Sequence, residues 1–595
     1  MKEDSPRNCA AGKSMRNARG SRHSLANTQK LTIIAQDPSV KIGGKILVAE
    51  VDVPAEGLLA GPRGFRVNVI DFDTSTSTLY KPAILTPAAN GQYKDPFALR
   101  KNAHGIVRKR PPGYDKQLLS DPKFHAQNVY AIVMRTLAKF ECALGRRVPW
   151  GSEGHQIHIA PHAFADANAF YSREDRAIFF GYFMGPSNRP IYTCLSHDIV
   201  AHETTHAILD GLRSRYLEPS SPDQAAFHEG FADVVALLSI FSLPDLVGQL
   251  LDHNNPRSHA ISNTHLTSNA LKKSVLLGLA EEMGLGLSKG RQRALRRSVH
   301  LRPGRPYMSM PQYSEEHDRG ELLVAAMMNS FLEIWTARLG KIGFISPGKK
   351  DRSLVVEEGA RVAGHLLTMA IRAIDYCPPT DITFGDYLSA LLTIDREVVP
   401  DDTKYDYRGA LLKHFKNFDI KHAAGAEVDG TWKRFDGQKL VYGRTHFDSM
   451  LRDKEEVFRF IWENREALEI DERGYVEVQS VRSCIRIGPD GFTLRETVAE
   501  YVQIMTLQAR ELKTVLKIKP PPDLPDSMRI RIYGGGALIF DEYGQLKYKI
   551  ANRIEDDKRQ TTRLKFLWET GAFDGEQKAG LRFAQLHRAR MSRAE

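Results

Sequence analysis

Two histidines and a glutamate in the first half of this 595-residue chain have the spacing of a metal site. His202 and His206 are four residues apart, and Glu203 directly follows the first histidine. If the segment is helical, side chains at this spacing share one face, so both imidazoles can reach the same zinc ion. Glu203 would lie beside the metal, where its carboxylate can take a proton from a water molecule that the metal activates.

A helix from residue 196 to residue 212 is the element expected to carry these three residues. Ser196 is a suitable N-cap, Gly211 can end the last turn, and apolar residues recur between them. The pattern therefore predicts that the two histidines project together from one face of an apolar helix.

A zinc ion held by two imidazoles needs a further protein ligand, and a carboxylate from a second helix is one known solution. Residues 224–241 are apolar enough for a buried helix, and we predict Glu229 within it as the third ligand. His228 is the alternative ligand. Asp233 follows Glu229 by one turn and can accept the outer N–H of a ligand histidine, which fixes the ring. The additional carboxylates argue against a chance motif on an ordinary core helix.

At these residues the chain resembles the thermolysin-like gluzincin metallopeptidases, and the similarity covers about residues 168–233. Residues 206–210, with the sequence HAILD, are similar to the continuation of the family's zinc helix. Upstream, residues 168–171 (NAFY) and the strand-like residues 177–181 (AIFFG) are similar to the family's asparagine-alanine-aromatic edge strand. A fainter similarity continues to Arg408.

The resemblance implies a zinc ion held by His202, His206 and Glu229. It also implies that Glu203 is the general base and proton shuttle, and that Asp233 lies behind a ligand histidine. The fold that it implies is an α+β zincin with two lobes. One lobe contains mixed strands and helices, the other is helical, and the zinc ion lies between them.

Further site residues follow from the same resemblance. The edge strand would bind a peptide substrate through main-chain hydrogen bonds at Asn168 and Ala169. The family has a tyrosine and a histidine over the oxyanion of the tetrahedral intermediate, and Tyr216 and His317 are the catalytic candidates for these roles here. Arg319, two residues after His317, is a substrate-binding candidate and a permanently charged alternative to His317 at the oxyanion. The alternative for His317 itself is that it only caps the helix that follows.

The composition is that of a globular protein with an excess of positive charge. Hydrophobic residues make up 42% of the chain, charged residues make up 26%, and no apolar run has the length of a membrane span. We therefore expect a soluble protein. The formal net charge of +11 is spread along the chain. Its dense stretch at residues 289–305 is predicted to be a solvated loop, with contact to an anion or nucleic acid as the alternative.

The cysteines indicate a reducing compartment, and we therefore predict a cytoplasmic location. They are odd in number and lack the paired spacing of a disulfide framework. The five residues are Cys9, Cys142, Cys194, Cys377 and Cys484.

Four regions are predicted along the chain. Residues 1–30 form a disordered basic leader and residues 31–95 form a β-rich N-terminal region. Residues 96–420 form the metallopeptidase domain, and residues 421–595 form a separate α+β module to which no function is assigned.

Periodicity predicts the main elements of these regions. In the domain we expect helices at residues 124–144, 322–335, 355–374 and 384–394, and strands at residues 156–159 and 178–180. In the C-terminal module we expect a helix over residues 496–515. A hairpin is expected in the same module, with strands at residues 530–540 and 545–550.

Zinc-dependent endopeptidase activity on a polypeptide substrate is the function that these features favour, because every group needed next to the metal is present. The alternatives are a non-catalytic interaction protein stabilised by zinc and a processing protease dedicated to one partner protein. Glu203 argues against the non-catalytic alternative, since a purely structural zinc site needs no general base. Substrate specificity depends on the shape of the pocket, so the dedicated protease stays open.

Overall fold

The structure is a computed structural model that describes most of the chain. The described residues are 28–86, 93–99, 110–152, 154–185, 188–218, 220–251, 259–272, 301–436, 440–487, 491 and 493–571. The predicted leader lies outside them up to residue 27, as do residues 289–300 of the basic stretch. Within the described residues the protein combines helices with several sheets, which makes it a mixed α/β structure.

The N-terminal region begins with strands. β1 (Thr28–Ile34) and β4 (Val48–Pro54) pair antiparallel over their whole length. The short strands β2 (Lys41–Ile42) and β3 (Lys45–Ile46) form a hairpin between them. Alternate residues of β4 are buried, as expected for a strand with one face against a core, and α2 (Pro122–Leu144) packs on both long strands.

This region is joined to the rest of the protein by a shared sheet. β5 (Val67–Val69) pairs in parallel with β8 (Ile157–Phe164), and β8 pairs in parallel with β10 (Ala177–Met184). β9 (Ala169–Ser172) and β11 (Pro190–Tyr192) lie antiparallel to β10 along its other edge. The predicted boundary near residue 95 therefore does not separate two independent sheets.

Two smaller sheets complete this part of the chain. β6 (Phe72–Asp73) and β7 (Thr78–Leu79) form a hairpin after β5. β14 (Lys349–Asp351) pairs antiparallel with β12 (Ala260–Ser262) on one side and with β13 (Phe344–Ser346) on the other.

Helices predominate in the middle of the chain. The six helices predicted up to residue 420 are all present, and their ends differ from the predictions by a few residues. In the described part of this region the helices are α1 (Tyr114–Ser120), α2, α3 (His197–Leu212), α4 (Pro222–Phe241), α5 (Pro244–Leu250), α6 (Glu316–Gly340), α7 (Arg352–Ala373), α8 (Phe384–Val398) and α9 (Tyr407–Asn417).

α4 is the central helix of this region. Every residue from Asp223 to Phe241 is buried, and α3, α6 and α7 pack against it. Apolar residues surround the whole helix, which explains its place in the core. α4 and α6 approach closely at Gly230 and Gly320, where a Cβ atom on Gly230 would lie 2.9 Å from the Gly320 carbonyl oxygen. This contact brings the first turn of α6 towards Glu229.

α6 is long and apolar enough to cross a membrane by length and composition alone. In this structure 78% of the apolar stretch of α6 is buried inside the protein. Its contacts with α4, α7 and α9 account for that burial, so α6 packs as a core helix.

The C-terminal region contains a four-stranded antiparallel sheet in the order β15, β16, β17, β18. The predicted hairpin is confirmed as β17 and β18, which are joined by a turn that contains Gly544 at a positive φ of 79°. The elements of this region are α10 (Phe447–Met450), α11 (Lys454–Glu463), β15 (Tyr475–Ile487), β16 (Thr493–Gln508), α12 (Leu512–Leu516), β17 (Arg529–Phe540), β18 (Leu546–Asn552) and α13 (Asp557–Glu569).

The predicted helix over residues 496–515 is wrong. Most of that segment belongs to β16, which pairs with β15 on one side and with β17 on the other. Eight consecutive residues of β16, 496–503, are buried, so the strand lacks the alternation of a half-exposed strand. A continuous apolar run does not distinguish a buried strand from a buried helix. Pairing along both edges decides for the strand.

The C-terminal sheet is not separate from the helical region, which corrects the prediction of an independent module. Cys484, Val498 and Ile539 belong to the same continuous apolar core as α2, α3 and α4. A second, smaller apolar cluster lies between the sheet and α11. The sheet therefore packs against α11 and also against the rest of the protein.

A buried network of ion pairs reinforces this contact. The Asp375 carboxylate pairs with Arg146 at 2.6 Å and with Arg486 of β15. Arg486 also pairs with Glu496 of β16. Burial alone would raise the pKa of Asp375, but the arginine charges outweigh burial and lower the pKa to about 2. Asp375 is therefore ionised in the folded protein.

Candidate metal centre

The side chains of His202 and His206 meet the carboxylate of Glu229 where α3 packs on α4. The Nε2 atom of His202 lies 3.4 Å from Oε2 of Glu229, and Nε2 of His206 lies 3.4 Å from Oε1. The two rings are perpendicular, with centroids 4.4 Å apart. All three residues are buried. Two imidazole nitrogens and two carboxylate oxygens thus surround one point, which is the arrangement expected of residues that share one ion.

The outer nitrogen of His202 contacts a carboxylate. Its Nδ1 atom lies 2.8 Å from Oδ1 of Asp233, one turn after Glu229 on α4. A carboxylate only accepts hydrogen bonds, so Nδ1 carries the hydrogen and Nε2 presents its lone pair to Glu229. This is the tautomer that binds a metal through Nε2, and the contact is the one predicted for Asp233.

The outer nitrogen of His206 contacts His228. The two Nδ1 atoms lie 3.0 Å apart. His228 was the alternative zinc ligand, but its Nδ1 faces the outer side of His206, whereas Glu229 faces the Nε2 side. The sequence offers His228 only as the alternative to Glu229, and its contact with the outer side of His206 depends on how α3 and α4 pack.

Burial affects the protonation of the ligand candidates. It lowers the pKa of His206 to about 4, and the neighbouring His202 acts in the same direction. The carboxylates of Glu229 and Glu203 oppose this shift without cancelling it. His206 is therefore neutral near pH 7, and the neutral imidazole is the form that binds metals.

Glu203 lies between the two histidines in sequence and is oriented by the sheet. Its Oε2 atom accepts a hydrogen bond from the backbone N–H of Tyr171 on β9, at 3.2 Å. A ring nitrogen of His202, a ring nitrogen of His206 and a carboxylate oxygen of Glu203 lie within 4.8 Å of one another. The carboxylate of Glu203 is thus next to the two imidazoles and is held from the side of the main sheet.

β9 is held against α3 by a second contact that sequence reasoning missed. The hydroxyl of Tyr171 donates to Oδ2 of Asp210 at 2.8 Å, and Arg173 pairs with the same carboxylate. Asp210 is one turn beyond His206 on α3, where helical spacing alone could have marked it as a residue on the same side.

Asn168 and Ala169 lie at the start of β9, as predicted for the edge strand. The Asn168 carbonyl accepts from Gly181 N at 2.8 Å, and its side chain accepts from the backbone N–H of Ala169 at 2.9 Å. β9 pairs with β10 along one edge, and no strand among the described residues pairs with its other edge. That other edge faces Glu203 through Tyr171.

His317 also faces this centre, from the first turn of α6. Its Nε2 atom lies 3.8 Å from Oε2 of Glu229, and its Nδ1 atom lies 2.8 Å from Oε1 of Glu315. The N-cap of α6 is Glu315, whose other oxygen accepts from Asp318 N at 2.9 Å. Capping of α6 is therefore performed by Glu315, and Nε2 of His317 faces Glu229.

Tyr216 and Arg319 are engaged elsewhere. Tyr216 is fully buried, and its hydroxyl donates to the carbonyl of Pro378 at 2.6 Å. The guanidinium of Arg319 pairs with Asp223 at 2.5 Å and donates to the carbonyl of Tyr313 at 2.9 Å. We therefore do not retain Tyr216 as an oxyanion donor or Arg319 as a substrate-binding residue, because their polar atoms stabilise neighbouring backbone and helix ends.

Comparison with known proteins gives no matching family model and no curated relative.

Proposed function

We propose that this protein is a zinc-dependent endopeptidase with a two-lobed fold of the zincin type. In this proposal one lobe contains α2, α3 and the sheet of β5, β8, β9, β10 and β11, and the helices from α4 onwards form the other. The observation that supports it most strongly is the convergence of His202 and His206 on both oxygens of Glu229, with Glu203 beside them.

The donor set fits zinc. Two neutral imidazoles and one carboxylate are a known set of protein ligands for a catalytic zinc ion, and they leave a coordination position for water or substrate. When bound there, zinc would polarise a peptide carbonyl and lower the pKa of a water molecule. Asp233 and His228 would hold the ligand rings in the required orientation.

The remaining residues have roles that follow from their positions. Glu203 would take a proton from the attacking water and deliver it to the leaving amine, as a general base and then a general acid. His317 would donate a hydrogen bond to the oxygen that becomes negatively charged in the tetrahedral intermediate. The edge of β9 would bind the main chain of an extended substrate beside Glu203.

The proposal is tested by profiling peptide-bond cleavage in a denatured proteome with the wild-type protein and the Glu203→Gln variant. Glutamine has almost the same shape but cannot accept the proton. We expect new N-termini with the wild type and a rate lower by about a hundredfold or more with the variant, the loss typical of a missing general base. Zinc content, measured by mass spectrometry of the purified proteins, should be the same in both.

Two results would contradict the proposal. Equal cleavage by both proteins would exclude Glu203 as the base. Full zinc occupancy with no cleavage by either protein would favour the non-catalytic zinc protein instead.

A cytoplasmic location is part of the proposal, and its support is that the four described cysteines are all free thiols.

A further inference from the structure

Two histidines and a cysteine meet at a second place in the protein, and none of them takes part in the centre on α3 and α4. His125 comes from α2, His162 comes from β8, and Cys194 comes from the short 3-10 turn before α3. All three residues are buried. One ring nitrogen of each histidine and the sulfur of Cys194 lie within 4.8 Å of one another.

A carboxylate determines which nitrogen of His162 faces this cluster. Nδ1 of His162 lies 2.9 Å from both carboxylate oxygens of Asp71, which is itself buried. Because a carboxylate only accepts, Nδ1 carries the hydrogen and Nε2 has a lone pair. That lone pair points towards His125, whose Nδ1 atom lies 2.7 Å away.

The tautomer of His125 determines what this close contact is. Its Nε2 atom is buried and makes no hydrogen bond within the described part of the chain. With its hydrogen on Nδ1, His125 donates to Nε2 of His162 across this contact. With its hydrogen on Nε2, both facing nitrogens have a lone pair and can bind one ion.

A metal ion can replace the hydrogen between these two ring nitrogens, and Cys194 supplies a third ligand of the right kind. Its thiol is free and fully buried, and its backbone carbonyl is fixed by Asn128 at 2.9 Å. The rings of Tyr192 and Tyr80 close the cluster, with centroids 4.7 Å from His125 and 5.1 Å from His162 respectively.

We propose that His125, His162 and Cys194 form a second metal site, with zinc as the ion that two imidazoles and one thiolate suit best. Asp71 orients His162 as an outer carboxylate does in other metal sites. Binding replaces the thiol proton by the metal, so one proton is released to solvent for each ion bound. The ion joins α2, β8 and the turn that leads into α3, and it therefore stabilises the start of the helix that carries His202. This site does not depend on the proposed peptidase activity.

Cobalt substitution tests the second site directly. The full chain is stripped of metal with a chelator, loaded with Co²⁺ and examined for the near-ultraviolet absorption of a thiolate-to-cobalt transition. The centre on α3 and α4 has no sulfur ligand, so this band reports only on the proposed site. We expect the band in the wild type and in the His202→Ala, His206→Ala double variant. We expect it to be absent from Cys194→Ser and present in Cys377→Ser, a control at another fully buried free thiol.

Metal stoichiometry gives an independent measurement. We expect two zinc ions for each wild-type chain and one for the double variant. A wild type that shows no thiolate band when saturated with cobalt, or a double variant that binds no metal, would overturn the proposal. Persistence of the band in Cys194→Ser would also overturn it. The first two results come from proteins that keep Cys194, so the test does not depend on the folding of the serine variant.

Discussion

The outer nitrogens of the two histidines on α3 have chemically different partners. His202 contacts the carboxylate of Asp233, whereas His206 contacts the imidazole of His228. A carboxylate carries a full negative charge and makes the ligand ring a better electron donor, which a neutral imidazole does much less. The two histidines are thus expected to contribute unequally to zinc affinity.

Substitutions of Glu229 and of the two outer partners, Asp233 and His228, should distinguish a zinc ligand from a residue that orients a ligand. We expect Glu229→Ala to abolish stoichiometric zinc binding. Asp233→Ala should weaken zinc affinity by about tenfold to a hundredfold, the loss usual for an outer-shell carboxylate. His228→Ala should have a smaller effect than Asp233→Ala. Competition with a chromophoric chelator measures all three. If His228→Ala abolishes zinc binding while Glu229→Ala does not, the two neighbours have exchanged roles.

In the proposed peptidase, His317 would stabilise the oxyanion. Its ring is oriented by Glu315 in the way that Asp233 orients His202, and its Nε2 atom faces Glu229. We expect His317→Ala to lower kcat and kcat/KM together by about a hundredfold, as the loss of an oxyanion donor does. Zinc content and thermal stability should change little. Loss of zinc in this variant would instead identify His317 as a further ligand.

At the scale of elements, the contact between α4 and α6 positions His317. Gly230 and Gly320 have no side chains, so the backbones of the two helices approach more closely than any larger residue would permit. A Cβ atom on Gly320 would lie 3.1 Å from the backbone nitrogen of Gly230 and 3.2 Å from the carbonyl oxygen of Ala226. Backbone atoms inside a helix cannot rotate away, so the helices would have to separate.

We therefore expect Gly320→Ala to reduce the free energy of unfolding by about 1–3 kcal/mol, the usual cost of overpacking. Alanine favours helices by about 1 kcal/mol over glycine, so the direction is opposite to that of helix propensity. Gly340→Ala is the control, because a Cβ atom there meets nothing within 4 Å at the end of the same helix. Urea denaturation measures both variants. Equal stability of Gly320→Ala and Gly340→Ala would show that the contact tolerates separation.

The elements of the centre were predictable from sequence to the extent that local spacing determines them. Two histidines four residues apart face the same ion when their segment is helical. α3 and α4 have the predicted apolar residues, and their ends lie within two residues of the predicted ends. The partner of His206 and the approach of Gly230 to Gly320 depend on how two helices pack, which spacing along one helix does not encode. Tyr216 was misassigned for the same reason, because its burial beneath Pro378 is a tertiary contact. β16 was misassigned because a strand buried on both faces has no period of two.

At the scale of the whole molecule, the C-terminal sheet and the helices share one core and a buried ion-pair network. Asp375 precedes α8 in the chain and contacts Arg146 after α2 and Arg486 on β15. Arg372, close by on α7, donates to the carbonyls of Ala143 and Ile487 at 2.8 and 3.0 Å. Removal of the C-terminal sheet would take Arg486 from Asp375 and the Ile487 carbonyl from Arg372, and it would expose the shared apolar core. We therefore do not expect residues 28–420 to fold alone.

Asp375→Asn tests how strongly this network holds the two regions together. The substitution keeps the shape of the side chain but leaves Arg146 and Arg486 facing a neutral amide. Breaking one partner of a buried ion pair typically costs about 3–5 kcal/mol, and we expect a loss of that order near pH 7 by urea denaturation. Glu357→Gln is the control, because its pair with Arg361 is more than half exposed on both sides and should contribute less than about 1 kcal/mol.

The loss should also depend on pH. The pKa of Asp375 falls from its ordinary value of 3.8 to about 2 in the folded protein, so the ionised carboxylate stabilises the fold fully above the ordinary value. This contribution is lost as the pH falls from 3.8 towards 2, where the folded protein also binds the proton. The difference in stability between the wild type and Asp375→Asn should therefore be constant from about pH 7 to pH 5 and should narrow as the pH falls below about 4. Denaturation curves at a series of pH values measure the difference directly. A difference that stays constant down to about pH 3 would mean that the asparagine disturbs packing and that the charge of Asp375 contributes nothing.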